Sequence, residues 1–193
     1  AEPQCDLILC DDGLQHYRLR RDVEIAVVDG ARGFGNGWLL PAGPLREGVG
    51  RLRSVDAVVV NGASTINSYA MTLVGETFRS LADPPLTANA AGFRGMKVHA
   101  VAGIGNPQRF FDHLRGLGLA VEEHPFPDHH RYHPEELDFP GSDAVLMTEK
   151  DAVKCAAFAA ANWWVLAVEA QVDIALGEKI LEKLRNTDGR KTA

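Results

Sequence analysis

Residues Lys97–Phe126, KVHAVAGIGNPQRFFDHLRGLGLAVEEHPF, have the clearest secondary-structure pattern of the chain. The apolar run Lys97–Ala102 predicts a strand, Pro107–Leu117 predicts a helix, and Ala120–Phe126 predicts a second strand. Asn106 occupies the N-cap position before a proline, and glycines lie at the end of the helix, so the helix has signals at both ends. The order strand, helix, strand indicates a βαβ unit with parallel strands.

The alternation of strands and helices continues towards the C-terminus. The further predicted elements are a short helix, a strand, a helix, a strand and a helix, over Pro134–Leu137, Ala144–Met147, Asp151–Ala160, Trp164–Val168 and Ile174–Leu184. Such alternation is typical of a mostly parallel sheet covered by helices. We therefore expect residues 95–193 to form a smaller α/β domain.

Three short apolar runs in the N-terminal region predict the strands of another α/β unit. The runs are Asp6–Cys10, Val23–Val28 and Ala57–Val60. They are apolar on both faces, as in buried parallel strands, and the glycine-rich Gly30–Pro44 between the last two predicts a loop. We expect residues 1–62 to be the C-terminal part of a larger α/β domain. The less regular residues 63–94, with one candidate strand at Met71–Phe78, are predicted to be a linker.

Composition excludes several classes of protein. With 46% hydrophobic and 24% charged residues, the 193-residue chain has globular rather than disordered or fibrous composition. Its net charge of −6 argues against a general attraction to nucleic acid, so no nucleic-acid partner is expected. No apolar run reaches the roughly 18 residues of a membrane span, and the first residue is Ala1 rather than Met. We expect a soluble chain that is a piece of a longer one.

The cysteines do not form a structural set. Cys5, Cys10 and Cys155 are neither an even number nor a C-x-x-C pair, which argues against a disulfide framework and a structural zinc site. Cys10 and Cys155 lie within or beside apolar runs, and we predict that both are buried.

Candidate site residues in the first unit begin where the first predicted strand ends. An apolar run followed by Asp11 and Asp12 resembles an element in which a strand-end carboxylate holds the Mg²⁺ of a nucleotide, although an Asp-Gly pair also suits a simple turn. Gln15 and His16 follow closely. The next basic residues, Arg18, Arg20 and Arg21, either contact phosphate or form a solvated turn.

The predicted loop supplies a second group of candidates. Glycines flank Asn36, where backbone N–H groups could approach an anion. Arg46 suits a phosphate, and Glu47 either joins the aspartates around a cation or caps a helix. No G-x-x-x-x-G-K-[ST] string occurs, and the first lysine is Lys97, so a phosphate-binding loop would have to lie upstream of the chain.

The second unit offers three further motifs after its strands. Gly103 and Gly105 precede a helix and form either an anion or ribose site or a tight turn. In the segment Asp128–His133, a histidine beside an acid can be a proton shuttle or a metal ligand. Thr148, with Asp151 three residues on, is close to a capping box.

Taken in order, these motifs resemble those of one family. They are Asp11–His16 (DDGLQH), Asp29–Gly37 (DGARGFGNG), Leu40–Glu47 (LPAGPLRE), Gly103–Pro107 (GIGNP), Phe126–His130 (FPDHH) and Thr148–Lys154 (TEKDAVK). The chain is similar to the lipid A 4′-kinase (tetraacyldisaccharide 4′-kinase) family from about Asp6 to its last predicted helix.

The resemblance implies a P-loop-kinase-like α/β core, present here in part, followed by the smaller α/β domain. It implies transfer of the γ-phosphoryl group of ATP to the 4′-hydroxyl of a tetraacyldisaccharide 1-phosphate. The partners would be ATP and this glycolipid, and the enzyme would lie peripherally at the cytoplasmic face of the Gram-negative inner membrane. The membrane-associating segment, the phosphate-binding loop and the base aspartate of the family would lie ahead of this chain.

The resemblance also implies roles for individual residues. Asp12 would hold Mg²⁺ with Asp11 and Glu47, and Arg46 would offset phosphate charge. His129 would orient the base aspartate. The residues expected on the nucleotide or sugar are Gln15, His16, Asn36, Gly103 and Gly105.

Two other functions remain open from the sequence. A metal-dependent phosphoesterase would use Asp128, His129 and His130 as a metal-binding signature, with further ligands from the acidic pair. A non-catalytic nucleotide-binding module would describe the chain in isolation, from which we expect no kinase turnover.

Overall fold

Strands and helices alternate along most of the computed structural model, which describes residues 7–62 and 67–188. In chain order the strands are β1 (Ile25–Asp29), β2 (Ala57–Asn61), β3 (Tyr69–Val74), β4 (Thr77–Ser80), β5 (Thr87–Asn89), β6 (Val98–Ala102), β7 (Val121–Pro125), β8 (Ala144–Thr148), β9 (Trp163–Leu166) and β10 (Glu169–Val172). The α-helices are α1 (Pro107–Gly116), α2 (Glu149–Cys155) and α3 (Ile174–Asp188), and 3₁₀ helices cover Val49–Arg53, Ala90–Phe93, Pro134–Leu137 and Ala156–Phe158. The predicted α/β fold class is confirmed.

The first compact unit comprises residues 1–73 and 170–193. In the described part of the chain its sheet has the order β1-β2-β3-β10, and β1, β2 and β3 are parallel, with Ile25 opposite Ala57 and Val59 opposite Tyr69. Helix α3 contributes Leu176 to the core of this sheet, where it joins Ala57 and Val59. The apolar stripe of α3 is therefore buried against the first sheet.

The second compact unit comprises residues 74–169. Among the described residues its sheet has six strands in the order β5-β4-β9-β8-β6-β7. The strands β7, β6, β8 and β9 are parallel, as the alternation predicts, whereas β4 is antiparallel to both β5 and β9. Separate cores cover the two faces, one around Phe111 and Leu114 and the other around Leu137 and Met147.

These units differ from the predicted boundaries 1–62, 63–94 and 95–193 in two places. The segment predicted to be a linker contains β3, β4 and β5, and the candidate strand Met71–Phe78 is divided between β3 and β4 in different sheets. The Asp83 backbone carbonyl accepts a hydrogen bond from the Leu86 N–H at 2.9 Å, which closes the turn between β4 and β5. The final helix, predicted in the second domain, packs on the first sheet, because amphipathic spacing does not specify which sheet a helix covers. Residues 63–66 lie outside the described part.

The expected strand at Asp6–Cys10 is wrong for its described residues. Asp6 lies outside them, and residues 7–10 belong to no strand. The Leu9 side chain is 87% exposed. An apolar run becomes a strand only when a neighbouring strand pairs with it, and no strand of the described chain includes these residues.

Of the two described cysteines, one is buried as predicted and the other is exposed. Cys10 is exposed, contrary to the expected burial, because the run that contains it is unpaired. Cys155 is fully buried in α2, as predicted. Cys5 lies outside the described residues.

Candidate active site

Asp11 and Asp12 lie in a turn after the exposed residues 7–10. Asp12 has a φ of 49°, which is uncommon for a residue other than glycine, and its N–H donates a hydrogen bond to Asp11 Oδ1 at 2.9 Å. The Asp12 side chain is 71% exposed and accepts a hydrogen bond from Arg46 Nη1 at 2.8 Å. Aspartates in this left-handed conformation occur both in turns and at functional sites, and the role of Asp12 stays a prediction.

The predicted loop Gly30–Pro44 is present and places Arg46 beside Asp12. Near its end, Leu45 donates its N–H to the Trp38 carbonyl at 3.2 Å. The chain can close this tightly because Gly43 has no side chain, since a Cβ there would overlap the Trp38 carbonyl oxygen. The direction of Arg46 therefore depends on the geometry of this loop.

The Asp12–Arg46 pair is exposed to solvent. The hydrogen bond and the charge of Asp12 raise the pKa of Arg46, which remains a guanidinium at any physiological pH. The Arg46 side chain is 60% exposed. Because water already surrounds the pair, either partner can exchange the other for an ionic ligand at little cost. A phosphate would replace Asp12 on the arginine, and a cation would replace Arg46 on the carboxylate.

Gln15 and Glu47 adjoin this pair. Gln15 Nε2 donates a hydrogen bond to Glu47 Oε2 at 3.1 Å, and Gln15 Oε1 lies 3.5 Å from Arg46 Nη1. Arg51 Nε lies 3.9 Å from Glu47 Oε2. The structure thus connects two acids, Asp12 and Glu47, through the guanidinium of Arg46 and the amide of Gln15.

A layer of ion pairs supports this group. Glu24 pairs with Arg21 at 2.9 Å and with Arg51 at 2.7 Å, and these side chains are about four-fifths buried. Arg21 also donates a hydrogen bond to the Gly13 carbonyl. Arg21 is therefore part of the scaffold, neither the solvated residue nor the phosphate contact considered from the sequence.

The carboxylates of Asp11, Asp12 and Glu47 are oxygen donors of the kind that Mg²⁺ prefers. Among the described residues they do not form a set of ligand atoms within 4.8 Å of one another. Mg²⁺ commonly takes one or two carboxylates and completes its shell with phosphate oxygens and water. The exposed Asp12 fits that donor chemistry, and the Mg²⁺ assignment stays a prediction.

His16 and Asn36 have different surroundings. His16 is exposed in a turn that its N–H closes on the Gly13 carbonyl at 3.0 Å. Asn36 uses its amide within the loop, donating to the Ala42 carbonyl at 3.0 Å and accepting from the Trp38 N–H at 3.1 Å. His16 is open to a ligand, whereas Asn36 shapes the loop. Their contacts with a nucleotide stay predictions.

In the second unit, Gly103 lies at the end of β6 with its N–H already occupied. That N–H donates to Asp151 Oδ2 at 3.0 Å, and a Cβ on Gly103 would lie 2.5 Å from the Tyr132 hydroxyl. Close packing therefore explains this glycine. Gly105 is exposed and begins the turn into α1, whose N-cap residue Asn106 makes no side-chain capping bond. Of the two predicted glycines, Gly105 has the more accessible backbone.

Asp151 joins two strand-end loops of the second unit, a role that sequence reasoning missed. It is fully buried and accepts hydrogen bonds from the Gly103 N–H, from the Thr148 hydroxyl at 2.7 Å and from Lys154 Nζ at 2.9 Å. Thr148 also accepts from the Asp151 N–H at 3.2 Å, which confirms the predicted cap. Burial and the Asp151 charge raise the pKa of Tyr132. The spacing of Asp151 and Lys154 signals the ion pair, but nothing in the sequence places Tyr132 beside them.

His129 and His130 have opposite environments. His129 has a φ of 61° and a side chain that is 93% exposed, with Nε2 3.9 Å from Asp128 Oδ2. His130 is partly buried, and its Nε2 lies 3.1 Å from both carboxylate oxygens of Glu136. His130 is therefore held within the fold, whereas the ring of His129 is exposed to solvent.

The phosphoesterase alternative has no metal centre in the described residues. Asp128, His129 and His130 do not bring their ligand atoms within 4.8 Å of one another. The ring of His130 instead faces Glu136.

The fold matches a crystal structure of the "apo" form of LpxK from Aquifex aeolicus in complex with ATP, with a TM-score of 0.67 and 26% identity over 90% of this chain and 56% of that one. It is therefore the α/β fold of a kinase. The family model for tetraacyldisaccharide-1-P 4′-kinase matches residues 1–185. The chain belongs to this family, as its motifs predicted.

Curated relatives agree with this assignment. Proteins named tetraacyldisaccharide 4′-kinase are 57% identical in Methylobacillus flagellatus, over 94% of this chain and 55% of that protein, and 54% identical in Azoarcus sp., over 96% and 56%. A third, from Pseudomonas aeruginosa, is 54% identical over 88% of this chain and 52% of that protein. The chain spans about half the length of these relatives. Within residues 7–62 and 67–188, no helix combines the length and apolar character needed to cross a bilayer.

Proposed function

We propose that the protein containing this chain transfers the γ-phosphoryl group of ATP to the 4′-hydroxyl of a tetraacyldisaccharide 1-phosphate, a step of lipid A synthesis. Family membership supports the reaction, and the ATP in the related crystal structure supports the donor. The observation that carries the proposal is the solvent-exposed Asp12–Arg46 pair at 2.8 Å. It offers one group for a cation and one for a phosphate.

In this proposal the chain supplies charge and orientation. Phosphoryl transfer needs chiefly the positioning of its reactants and stabilisation of charge on the transferred group. Asp12, supported by Asp11 and Glu47, binds Mg²⁺, which when bound neutralises phosphate charge. Arg46 binds a phosphate oxygen. Gln15 holds Glu47 in place through its 3.1 Å hydrogen bond.

The remaining predicted residues contact the nucleotide, the sugar or the aspartate that acts as catalytic base. His16 contacts the nucleotide or sugar, and Gly105 offers its backbone to the nucleotide. His129 orients the base aspartate of the family, since its exposed ring is available for a hydrogen bond. We further propose that the enzyme acts peripherally at the cytoplasmic face of the inner membrane, since an acylated substrate would lie in a membrane.

The test is the Mg²⁺ dependence of kinase activity in the full-length protein, with ATP and tetraacyldisaccharide 1-phosphate as substrates. Asp12→Asn should increase the Mg²⁺ concentration for half-maximal rate and lower kcat by about 100-fold or more. Asp22→Asn is the matched control, because Asp22 is an exposed aspartate of the same unit. Equal Mg²⁺ dependence in the wild type and Asp12→Asn would overturn the role of Asp12, and absence of 4′-phosphorylated product in the wild type would overturn the function.

A further inference from the structure

Three potential metal ligands lie together on one face of the second sheet. His99 on β6 is directly opposite Glu122 on the edge strand β7, and His124 is two residues further along β7. Residues opposite one another, and those two positions apart, project from the same face of a sheet. The three side chains, here called the His–Glu–His cluster, therefore share one face.

Their donor atoms are close enough to share an ion. His99 Nδ1 lies 2.9 Å from His124 Nε2 and 3.7 Å from Glu122 Oε2, and His124 Nε2 lies 3.9 Å from Glu122 Oε1. Tetrahedral zinc with bonds of 2.0–2.1 Å holds its ligand atoms about 3.3 Å apart. Small side-chain movements would bring all three donors to that separation. Among the described residues, this is the one set of three such side chains whose ligand atoms lie within 4.8 Å of one another.

The two imidazole rings are held in position by an aromatic neighbour. Phe139 stacks on His99 with ring centroids 4.4 Å apart and an interplanar angle of 2°, and on His124 at 4.2 Å and 26°. Because the rings cannot turn freely, little conformational entropy is lost when they bind an ion. The geometry is thus largely formed in advance.

Hydrogen bonding within the cluster is incomplete. His99 is 3% exposed, and within the described chain its buried Nε2 has no hydrogen-bond partner. When a neutral His99 donates from Nδ1 to His124, its Nε2 is an unpaired acceptor, and in the other tautomer it is an unpaired donor. An ion bound at Nδ1 would fix the ring proton of His99 on Nε2, so Nε2 would remain an N–H donor without a partner among the described residues. The ion would replace the His–His hydrogen bond, and the positions of the three donor atoms are the evidence for it.

We infer that His99, Glu122 and His124 bind a divalent transition-metal ion of the Zn²⁺ class. Two imidazole nitrogens and one carboxylate oxygen suit Zn²⁺, Co²⁺ or Ni²⁺ better than Mg²⁺ or Ca²⁺. Glu122 is exposed, so water can complete the coordination. The ion would fasten the edge strand β7 to β6, independently of the proposed kinase reaction.

To test this inference, the full-length protein is first freed of metal with a chelator. It is then titrated with Co²⁺ and afterwards with Zn²⁺. We expect one equivalent of Co²⁺ to give the visible absorption of a four-coordinate N/O site, and Zn²⁺ to remove it. His124→Ala and Glu122→Gln should weaken Zn²⁺ binding by about 100-fold or more. These residues are more exposed than His99, so their replacement leaves the core intact.

The matched control is Glu123→Gln. Glu123 follows Glu122 on the same strand but projects from the opposite face, where it pairs with Arg115. Its variant should bind Zn²⁺ as the wild type does, with unchanged circular dichroism. The inference is overturned if the wild type takes up no Zn²⁺, or if the wild type and His124→Ala bind Zn²⁺ equally well. Either result would show that His99 and His124 form only a hydrogen-bonded pair.

Discussion

Asp151 Oδ2 accepts a hydrogen bond from the Gly103 N–H at 3.0 Å, which ties the loop after β6 to the first turn of α2. Its other oxygen accepts from Lys154 at 2.9 Å. Both carboxylate oxygens thus face donors in a fully buried position. An amide in place of this carboxylate would turn its NH₂ group towards one of those donors.

We therefore expect Asp151→Asn to lower the free energy of unfolding by about 2–3 kcal/mol, as for the loss of buried hydrogen bonds to a charged group. Urea denaturation followed by circular dichroism measures this change. Glu149→Gln, in the same helical turn but exposed, should leave the midpoint unchanged. Equal midpoints for both variants would contradict the role of Asp151.

Arg46→Ala should reduce kcat of the full-length kinase by about 100-fold or more, because a guanidinium that stabilises phosphate charge is lost. Arg46→Lys should recover only part of the rate, since an ammonium cannot form the same paired hydrogen bonds. The thermal midpoint should not change, as the pair with Asp12 is exposed. Arg53→Ala, at an exposed position nearby in sequence, is the control. Full activity of Arg46→Ala would remove Arg46 from the proposed mechanism.

Cys155 should resist alkylation in the native protein while Cys10 reacts. Burial, followed by the charge of Asp151, raises the pKa of Cys155 to about 11, with Lys154 opposing this shift. At pH 8 the thiolate fraction of Cys155 is then on the order of 10⁻³. Iodoacetamide labelling and mass spectrometry measure both sites, and labelling in urea shows that each thiol can react. Equal alkylation rates of Cys10 and Cys155 in the native protein would contradict the burial of Cys155.

The Asp56 carboxylate should stabilise the first unit at neutral pH and lose this effect in acid. Burial alone would raise its pKa, but hydrogen bonds from Lys183 and the Glu24 N–H outweigh it, and the pKa of Asp56 is lowered. A carboxylate with a lowered folded pKa stabilises the fold above its unfolded pKa, and that stabilisation is lost as pH falls through the folded value.

Asp56→Asn should therefore be less stable than the wild type at pH 7, and the difference should shrink as pH falls below about 4. Urea unfolding at pH 7, 4 and 3 measures it. For the control Asp22→Asn, at an exposed position, the difference in stability from the wild type should not change with pH. A difference that stayed constant with pH would show that the Asp56 charge is not responsible.

Local pattern was sufficient to predict β6, α1 and β7. Their bounds differ from the predicted ones by one residue, at one end of β6 and of α1 and at both ends of β7, because periodicity, a proline and terminal glycines agree there. The same pattern could not show that α3 packs on the first sheet, nor that the run ending at Cys10 has no strand neighbour. Both depend on contacts between distant segments.

The candidate site was predictable only as a set of motifs. The motifs selected Asp12, Gln15, Arg46 and Glu47, but the hydrogen bonds among them depend on the folding of the loop that ends before Arg46. The role of Asp151 and the His–Glu–His cluster depend on strand register and buried packing, which residue spacing does not specify.

The first unit is built from two separate segments of the chain, which affects the order in which the two units can fold during synthesis. The first unit is discontinuous in sequence, since residues 74–169 are an insertion between its two parts. The second unit can complete its core as soon as its contiguous segment leaves the ribosome, whereas the first sheet must wait for Leu176. Truncation ahead of Ile174 would accordingly uncover the core of the first sheet instead of trimming a peripheral end.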